Sequence, residues 1–234
     1  MNPVVGIIGA MEVEVDLLRS HLTERKTFER AAMTFDRGLM GETTTVVARC
    51  GVGKVNAAMC VQAMADLFGV THIVNTGVAG SLDAAIDIGD LVVSTDALQH
   101  DMDVTALGYE PGQVPGLETR AFAADEGLRR GVLQACAVAA PEVAVYDGRV
   151  ASGDRFVADA QVKQAIATSF GARCCEMEGA AIAQACWLNG IPFAIVRAIS
   201  DKADGSDALD YPTFEAQAAR RCAAIVERLL RDWK

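Results

Sequence analysis

The chain has 234 residues, of which 51% are hydrophobic and 22% are charged, and its formal net charge is −10. This length and composition suit a single α/β domain over residues 1–234, and no stretch rich in proline, glycine or serine divides it. The negative charge argues against nucleic acid and anionic membranes as partners, because both bind basic patches.

Apolar runs that contain β-branched residues predict buried strands, and each run ends at a glycine or a small polar residue. In chain order these runs are Val4–Ile8, Thr45–Ala48, His72–Asn75, Leu91–Ser94, Arg149–Ser152 and Phe193–Ile199. Helical patterns lie between several of them, at Glu14–His21, Lys54–Phe68, Asp125–Val138, Asp159–Phe170 and Ala180–Leu188.

Two further segments complete the predicted fold. Residues 28–49 leave no room for a helix around Gly38 and Gly41, so they predict a hairpin. The chain closes on an amphipathic helix from about Thr213 to Trp233, whose apolar face consists of Phe214, Ala218, Cys222, Ile225 and Leu229. The pattern predicts a three-layer α/β/α sandwich with a mixed, largely parallel central sheet and ligands at the carboxyl ends of its strands.

No apolar stretch approaches the roughly 20 residues of a membrane helix, and the N-terminus lacks the basic region of a secretory signal. We therefore expect a cytoplasmic protein. The seven cysteines form no C-x-x-C pair and lie mostly in apolar runs, which is typical of buried free thiols.

The glycine-rich stretches match neither common nucleotide-binding motif. The first strand leads into Gly9-Ala10-Met11, which fails the G-x-G-x-x-G pattern, and Gly51-Val52-Gly53-Lys54 is followed by Val55 where a P-loop needs Ser or Thr. We interpret Gly51 and Gly53 as a close turn from strand to helix. The small residues 75–81, NTGVAGS, favour either close approach of a ligand to the backbone or an ordinary tight turn.

The sequence His100-Asp101-Met102-Asp103 resembles a metal cluster, but no third group of ligands supports it. On an extended chain His100 and Met102 would share one face and the two aspartates the other. We therefore expect no metal site here.

Three acidic residues directly follow apolar stretches: Glu14, Glu178 and Asp201. A carboxylate at such a place loses water and needs a partner or a function, although a helix cap would also explain it. Glu12 and Glu14 lie about 200° apart on a helix, so only one of them can face a pocket. Glu176 and Glu178 pose the same choice, which spacing alone does not decide.

Seven motifs in register carry a family resemblance: GIIGAMEVEV, CGVGKVNAA, NTGVAG, HDMDVTALGYEPGQVPG, SGDRF, CEMEGAAIA and VRAISDKAD. With them the chain resembles the 5′-methylthioadenosine/S-adenosylhomocysteine nucleosidases, within the superfamily of nucleoside phosphorylases and hydrolases. The resemblance runs from Val4 to the C-terminal helix. It implies a nucleoside phosphorylase-like fold and a homodimer that splits adenine nucleoside thioethers with water, without a metal or other cofactor.

The resemblance also assigns residues. It implies that Glu14 activates water, that Asp201 protonates nitrogen seven of the purine, and that Glu178 binds the ribose hydroxyls beside the Met177 backbone. Arg197 and Ser200 match neighbours of the catalytic aspartate. Phe156 is expected to stack on the purine and the Val157 backbone to pair with its edge. The expected lining of the sugar and thioalkyl side is Met11, Val52, Val104, Tyr109, Pro115 and Tyr211.

Two positions depart from the family pattern. Val78 stands where many members have serine, with Ser81 in place of glycine, so a hydroxyl near the catalytic acid is lost. Leu107 stands where the family has a large aromatic residue that reaches the partner subunit's site, which bears on substrate preference.

The turn after the first strand also bears on the nucleophile. A strand, a glycine turn and a helix N-terminus normally bind phosphate. Here that place holds Glu14, and neither Arg nor Lys occurs between Gly6 and Leu18. The sequence therefore favours water over phosphate. Two other functions stay open: hydrolysis of a related adenine compound such as aminodeoxyfutalosine, and a nucleoside sensor without turnover.

Overall fold

The structure, a computed structural model, describes residues 3–205 and 211–233, with residues 211–213 described by their backbone alone. Its strands are β1 (Val4–Gly9), β2 (Thr23–Arg30), β3 (Met33–Met40), β4 (Thr43–Arg49), β5 (His72–Ser81), β6 (Leu91–Gln99), β7 (Phe122–Ala123), β8 (Val145–Ser152), β9 (Ala172–Glu176) and β10 (Phe193–Asp201). Its helices are α1 (Glu12–Ser20), α2 (Lys54–Phe68), α3 (Glu126–Ala139), α4 (Ala160–Phe170), α5 (Gly179–Asn189) and α6 (Tyr211–Arg231), with a 3₁₀ turn at Thr105–Leu107.

The strands form one mixed sheet in the order β10-β6-β8-β9-β5-β1-β4-β3-β2, with β7 beside β6. Strands β4, β1, β5 and β10 are parallel to one another, and β6, β8 and β9 form a second parallel set. The two sets meet in antiparallel pairings at β10–β6 and β9–β5, so five strands close into a ring. The predicted mixed sheet is confirmed, whereas its closure has no signal in the sequence.

Helices cover both faces of the sheet, which confirms the three-layer arrangement. On one face α2 and α5 pack through residues such as Met64 and Ile182. On the other, α1, α3 and α6 pack through Leu18, Val132 and Ile225. In α6 the predicted positions Ala218, Cys222, Ile225 and Leu229 are all buried.

Local signals place most helix ends correctly. Helices α2, α4 and α5 end at Gly69, Gly171 and Gly190, each in the left-handed conformation that favours glycine (φ 60°, 63° and 65°). Helices α3 and α4 begin after Asp125 and Asp159, whose carboxylates accept backbone N–H bonds of the first turn. All seven cysteines are buried free thiols, as expected.

The fold differs from the prediction in β5. This strand does not end at Asn75 but continues to Ser81, because residues 76–80 pair with β10. The tight-turn interpretation of these residues is therefore wrong. The predicted hairpin is confirmed as β3 and β4, joined through Gly41 (φ 62°). A third strand, β2, has no predicted counterpart, because it is exposed along its whole length and lacks an apolar face.

Among the described helices, none combines the length and the apolar character that crossing a membrane requires.

Candidate active site

A cavity of about 220 Å³ lies where β1, β5, β8, β9 and β10 end, the edge of the sheet at which ligands were expected. Most of the sequence-predicted site residues line it together: Met11, Glu14, Val52, Val78, Phe156, Val157, Met177, Glu178, Arg197, Ser200 and Asp201. Glu176, the alternative to Glu178 that spacing left open, lines it as well, as do Arg155 and Cys175, to which the sequence assigned no role in the site.

Glu14 fills the anion site at the N-terminus of α1 with its own carboxylate. Its Oε2 accepts hydrogen bonds from the backbone N–H groups of Ala10 (2.6 Å) and Met11 (2.9 Å), and its Oε1 accepts one from Val78 (3.1 Å). Burial raises the pKa of Glu14, although the Arg197 charge and these three bonds act in the opposite direction. The backbone groups that would bind a phosphate are therefore already occupied.

Of Glu12 and Glu14, only Glu14 faces the cavity. Glu12 points to the surface, where it pairs with Arg19 and, at 3.4 Å, with Arg49. Glu14 is only 2% exposed and faces the cavity.

Arg197 is the central cation of the site and is 1% exposed. Its Nη2 donates to Asn75 Oδ1 (2.6 Å) and pairs with Glu176, while Nη1 donates to the Val78 carbonyl (3.3 Å). Burial acts against the charged guanidinium, but the neighbouring glutamates outweigh it and raise the pKa of Arg197. Its buried Nε has no hydrogen-bond partner among the described residues.

Both glutamates of the CEMEG motif face the cavity, but their hydrogen-bonding environments differ. Glu176 is held by Arg197, by the Ser152 hydroxyl and by the backbone N–H groups of Glu178 (3.0 Å) and Gly179 (2.8 Å). Glu178 begins α5, where the strand alternation has ended. This break explains why spacing could not choose between them.

Glu178 is 4% exposed, and its Oε1 accepts one backbone bond, from Gly53 (2.9 Å). Its Oε2 lies 3.9 Å from the Arg197 guanidinium. Burial, and then the charge of Glu176, raise the pKa of Glu178 to about 7. Compared with Glu176, this carboxyl has more acceptor capacity left for a ligand.

Asp201 closes the opposite side of the cavity, at the end of β10. Its Oδ2 accepts a hydrogen bond from the Ser200 hydroxyl (2.9 Å), and its Oδ1 accepts one from the Ala203 N–H (2.7 Å).

The small residues of β5 make room for the functional side chains of the cavity. A Cβ at Gly80 would lie 2.8 Å from Asp201 Oδ1, and one at Gly77 would collide with Glu14 and Arg197.

The outer wall of the cavity is apolar and partly open. Phe156 is 59% exposed and Val52 is 49% exposed, whereas Val157 is buried. Val78 lies against this wall in β5 and is 8% exposed. An aromatic face at the mouth of a cavity suits a flat ligand.

Five predicted residues do not appear in the described lining of the cavity: four lie elsewhere, and the side chain of the fifth is not described. Val104, Leu107 and Tyr109 lie around the 3₁₀ turn, with Leu107 74% exposed, and Pro115 is also exposed. Tyr211 starts α6, and its side chain lies outside the described part of the chain. The substrate contacts of these five residues stay predictions.

The HDMD motif lies in a turn after β6 and not on an extended chain. Asp101 there pairs with Lys54 Nζ (2.6 Å). Within the described ranges, no group of three or more His, Cys, Asp or Glu side chains could hold a metal ion.

Comparison with known proteins identifies relatives along nearly the whole chain. The model of the phosphorylase superfamily matches residues 4–231. A 5′-methylthioadenosine/S-adenosylhomocysteine nucleosidase of Exiguobacterium sp. is 42% identical and covers 96% of this chain and 98% of its own length. The enzyme of the same name from Treponema pallidum is 41% identical, with 97% and 92% covered.

Solved structures agree with these relatives. A nucleosidase of this name from Colwellia psychrerythraea, in complex with adenine, superimposes with a TM-score of 0.94 at 35% identity, over 98% of this chain and 95% of that one. A futalosine hydrolase of Helicobacter pylori superimposes with a TM-score of 0.91 at 28% identity, over 97% of both chains. The chain therefore belongs to the 5′-methylthioadenosine/S-adenosylhomocysteine nucleosidase family of the phosphorylase superfamily and is an N-glycosidase that cleaves nucleosides hydrolytically.

Proposed function

We propose that the protein hydrolyses the N-glycosidic bond of 5′-methylthioadenosine and S-adenosylhomocysteine, releasing adenine and the thioribose product. The observation that carries this proposal is the buried Glu14 carboxylate, seated on three backbone N–H groups and facing the same cavity as Asp201. A cavity between a buried base and a second carboxyl group suits acid–base cleavage of a glycosidic bond.

In this proposal Asp201 donates a proton to nitrogen seven of the purine as the bond breaks. Adenine is a poor leaving group, and a positioned acid contributes about 10²–10⁴ to the rate. The Ser200 hydroxyl on Asp201 Oδ2 holds this carboxyl in one orientation. Phe156 and Val157 then form the purine wall, at the mouth of the cavity.

The sugar develops positive charge in the transition state, and the Glu14 carboxylate favours that charge. Glu14 also takes a proton from the attacking water, which a carboxylate of raised pKa does more readily than an ordinary one. Glu178 accepts hydrogen bonds from the ribose hydroxyls, since a charged acceptor binds a diol more firmly than a neutral one.

The protein acts as a homodimer in this proposal, and the first turns of α2 support it. Val55 and Met59 are 71% and 47% exposed and lie four residues apart, on one side of α2. Exposed apolar groups of this kind are typical of association surfaces. Sedimentation analysis of the wild type and of Val55→Lys tests this, with a dimer expected for the wild type and dissociation for the variant.

The experiment that tests the activity is chromatography of the products from 5′-methylthioadenosine in phosphate-free buffer. We expect adenine and free methylthioribose, and we expect the same two products after phosphate is added. An Asp201→Asn protein from the same purification controls for a contaminating nucleosidase. A sugar phosphate in the phosphate arm would identify a phosphorylase and reject the proposed role of Glu14.

The likeness to a futalosine hydrolase favours a second candidate, a related adenine nucleoside with a different tail, such as aminodeoxyfutalosine. Both candidates use the same acidic residues and differ in the pocket for the tail. Values of kcat/KM for 5′-methylthioadenosine, S-adenosylhomocysteine and aminodeoxyfutalosine decide between them. The proposal fails if the third compound is strongly preferred.

A further inference from the structure

Three residues that the proposed reaction does not use, each from a different sequence motif, meet beside the cavity. Lys54 comes from GVGK, Asp101 from HDMD and Asp154 from SGDRF. The Lys54 N–H donates to Asp154 Oδ1 (2.8 Å), the Asp154 N–H donates to Asp101 Oδ2 (2.8 Å), and Lys54 Nζ donates to Asp101 Oδ1 (2.6 Å). These bonds close a ring of three residues, which we call the clasp.

Within the clasp, Asp154 supplies the cap that α2 lacks. The residue before this helix is Gly53, at φ 98°, which has no side chain to accept the N–H groups of the first turn. The Asp154 carboxylate accepts one of them from another part of the chain. A negative charge there also interacts favourably with the helix N-terminus.

Further contacts hold the clasp in place. Lys54 Nζ also donates to Gln99 Oε1 (2.9 Å), whose side-chain amide in turn donates to Gln184 (2.6 Å) in α5. Gly153 lets the chain pass close to the His100 ring, because a Cβ there would lie 2.5 Å from His100 Nε2. The position of Asp154 is thus set by packing as well as by its hydrogen bonds.

The clasp joins the two sides of the cavity. On one side, Gly53 precedes Lys54 and donates its N–H to Glu178, the proposed ribose ligand. On the other, Asp154 is followed directly by Arg155, Phe156 and Val157, all of which line the cavity. Among the described residues that line the cavity, none belongs to the clasp itself.

We propose that the Lys54–Asp101–Asp154 clasp is a positioning device that couples the purine wall to the Gly53–Glu178 ribose site, so that breaking it on either side weakens binding on both. The inference builds on the proposed function, which assigns ligands to these two sides. The three clasp residues act through Gly53 and Phe156 and do not touch the substrate.

The deciding variant is Lys54→Met, which removes the ammonium from the ribose side and leaves every residue of the purine wall unchanged. If the clasp couples the sides, this variant weakens the binding of adenine, a ligand without ribose, by about 10-fold, the order of effect expected for losing a charged hydrogen bond. Calorimetric titration with adenine measures it. Hydrogen–deuterium exchange measures the same coupling without a ligand, as faster exchange in residues 153–157.

Three variants complete the comparison. Asp154→Ala should weaken adenine binding and raise KM. Asp154→Asn retains an acceptor oxygen for the Lys54 N–H, so its adenine affinity and its KM should both lie close to the wild-type values. Asp125→Ala is the matched control, because Asp125 caps α3 by the same kind of bond, to the Leu128 N–H (2.7 Å), and does not line the cavity. This control should leave adenine affinity unchanged.

Unchanged adenine affinity and unchanged exchange in Lys54→Met would overturn the clasp, even if Asp154→Ala is impaired. An equal loss in Asp125→Ala would also overturn it, because it would indicate general destabilisation. If the wild type did not bind adenine, the proposed function would fail, and the exchange experiment would still decide on the clasp.

Discussion

Replacing Glu14 by glutamine tests the central carboxylate, because the change removes a charge and almost no volume. In the wild type, Oε2 accepts from Ala10 and Met11 and Oε1 accepts from Val78. A carboxamide has one acceptor oxygen. If that oxygen takes the Oε2 position, the amide nitrogen faces the Val78 N–H, and one buried donor loses its acceptor.

The cost in stability follows from this single lost bond. A buried unsatisfied N–H costs about 1–3 kcal/mol. In a domain of this size each kcal/mol lowers Tm by about 2–4 °C, so we expect a fall of between about 2 and 12 °C. Loss of the charge removes the attraction to Arg197 and also removes the cost of burying an ion, so these two effects act in opposite directions. The variant should therefore fold at room temperature.

The cost in activity should be much larger. An amide cannot take a proton from water or offset charge on the sugar, so we expect turnover to fall by about 10²–10⁴. Adenine release from 5′-methylthioadenosine at saturation, followed by chromatography, measures this, with circular dichroism to record Tm. Glu12→Gln is the matched control, because Glu12 is exposed, pairs with Arg19 and Arg49, and does not line the cavity. A folded Glu14→Gln protein with adenine release near the wild-type rate would refute the reasoning.

Three further predictions concern the same site. Asp201→Asn should keep the fold, because the amide can still bond the Ser200 hydroxyl and the Ala203 N–H, while the turnover measured by adenine release falls by about 10²–10⁴. Ionised Glu178 accepts ribose hydroxyls more firmly than the protonated form and has a pKa of about 7, so kcat/KM should fall as pH drops below neutral, and Glu178→Gln should remove this part of the pH profile. Glu14→Ala leaves three N–H donors around a vacated carboxylate site, so added formate should restore part of its adenine release, and no response to formate would contradict the assigned geometry.

Local chemistry in the sequence predicts most of the fold. Glycines after α2, α4 and α5 end these helices, because a left-handed residue suits glycine. Strand β5 shows the limit of such signals. Its run of small residues resembles a turn, yet the strand continues because residues 76–80 pair with β10, and its glycines make room for Glu14, Arg197 and Asp201. A pattern of residue sizes does not reveal which neighbours require the space.

The sequence predicted which acidic residues line the candidate site better than it predicted the residues that hold them in place. Glu14 and Asp201 follow apolar strands, which makes them candidates, but the family resemblance was needed to choose Glu14 over Glu12 and to assign both roles. Spacing could not decide whether Glu176 faces the cavity, because its inward position depends on the ion pair with Arg197, a residue of β10 that is distant in sequence. Leu107 shows a different limit: the resemblance implies a contact with the partner subunit's site, and the structure of one chain does not test it.

The charges of the cavity bear on the choice of nucleophile. Four carboxyl groups line it, Glu14, Glu176, Glu178 and Asp201, against two guanidinium groups, of which Arg155 is exposed and Arg197 already pairs with Glu176. A phosphate dianion in this cavity would meet a buried carboxylate where it needs N–H donors, and would find the buried cation neutralised. A water molecule is uncharged, so it is not repelled by the buried carboxylate. The same arrangement that repels the anion favours a cationic sugar, so hydrolysis and exclusion of phosphate have one electrostatic cause.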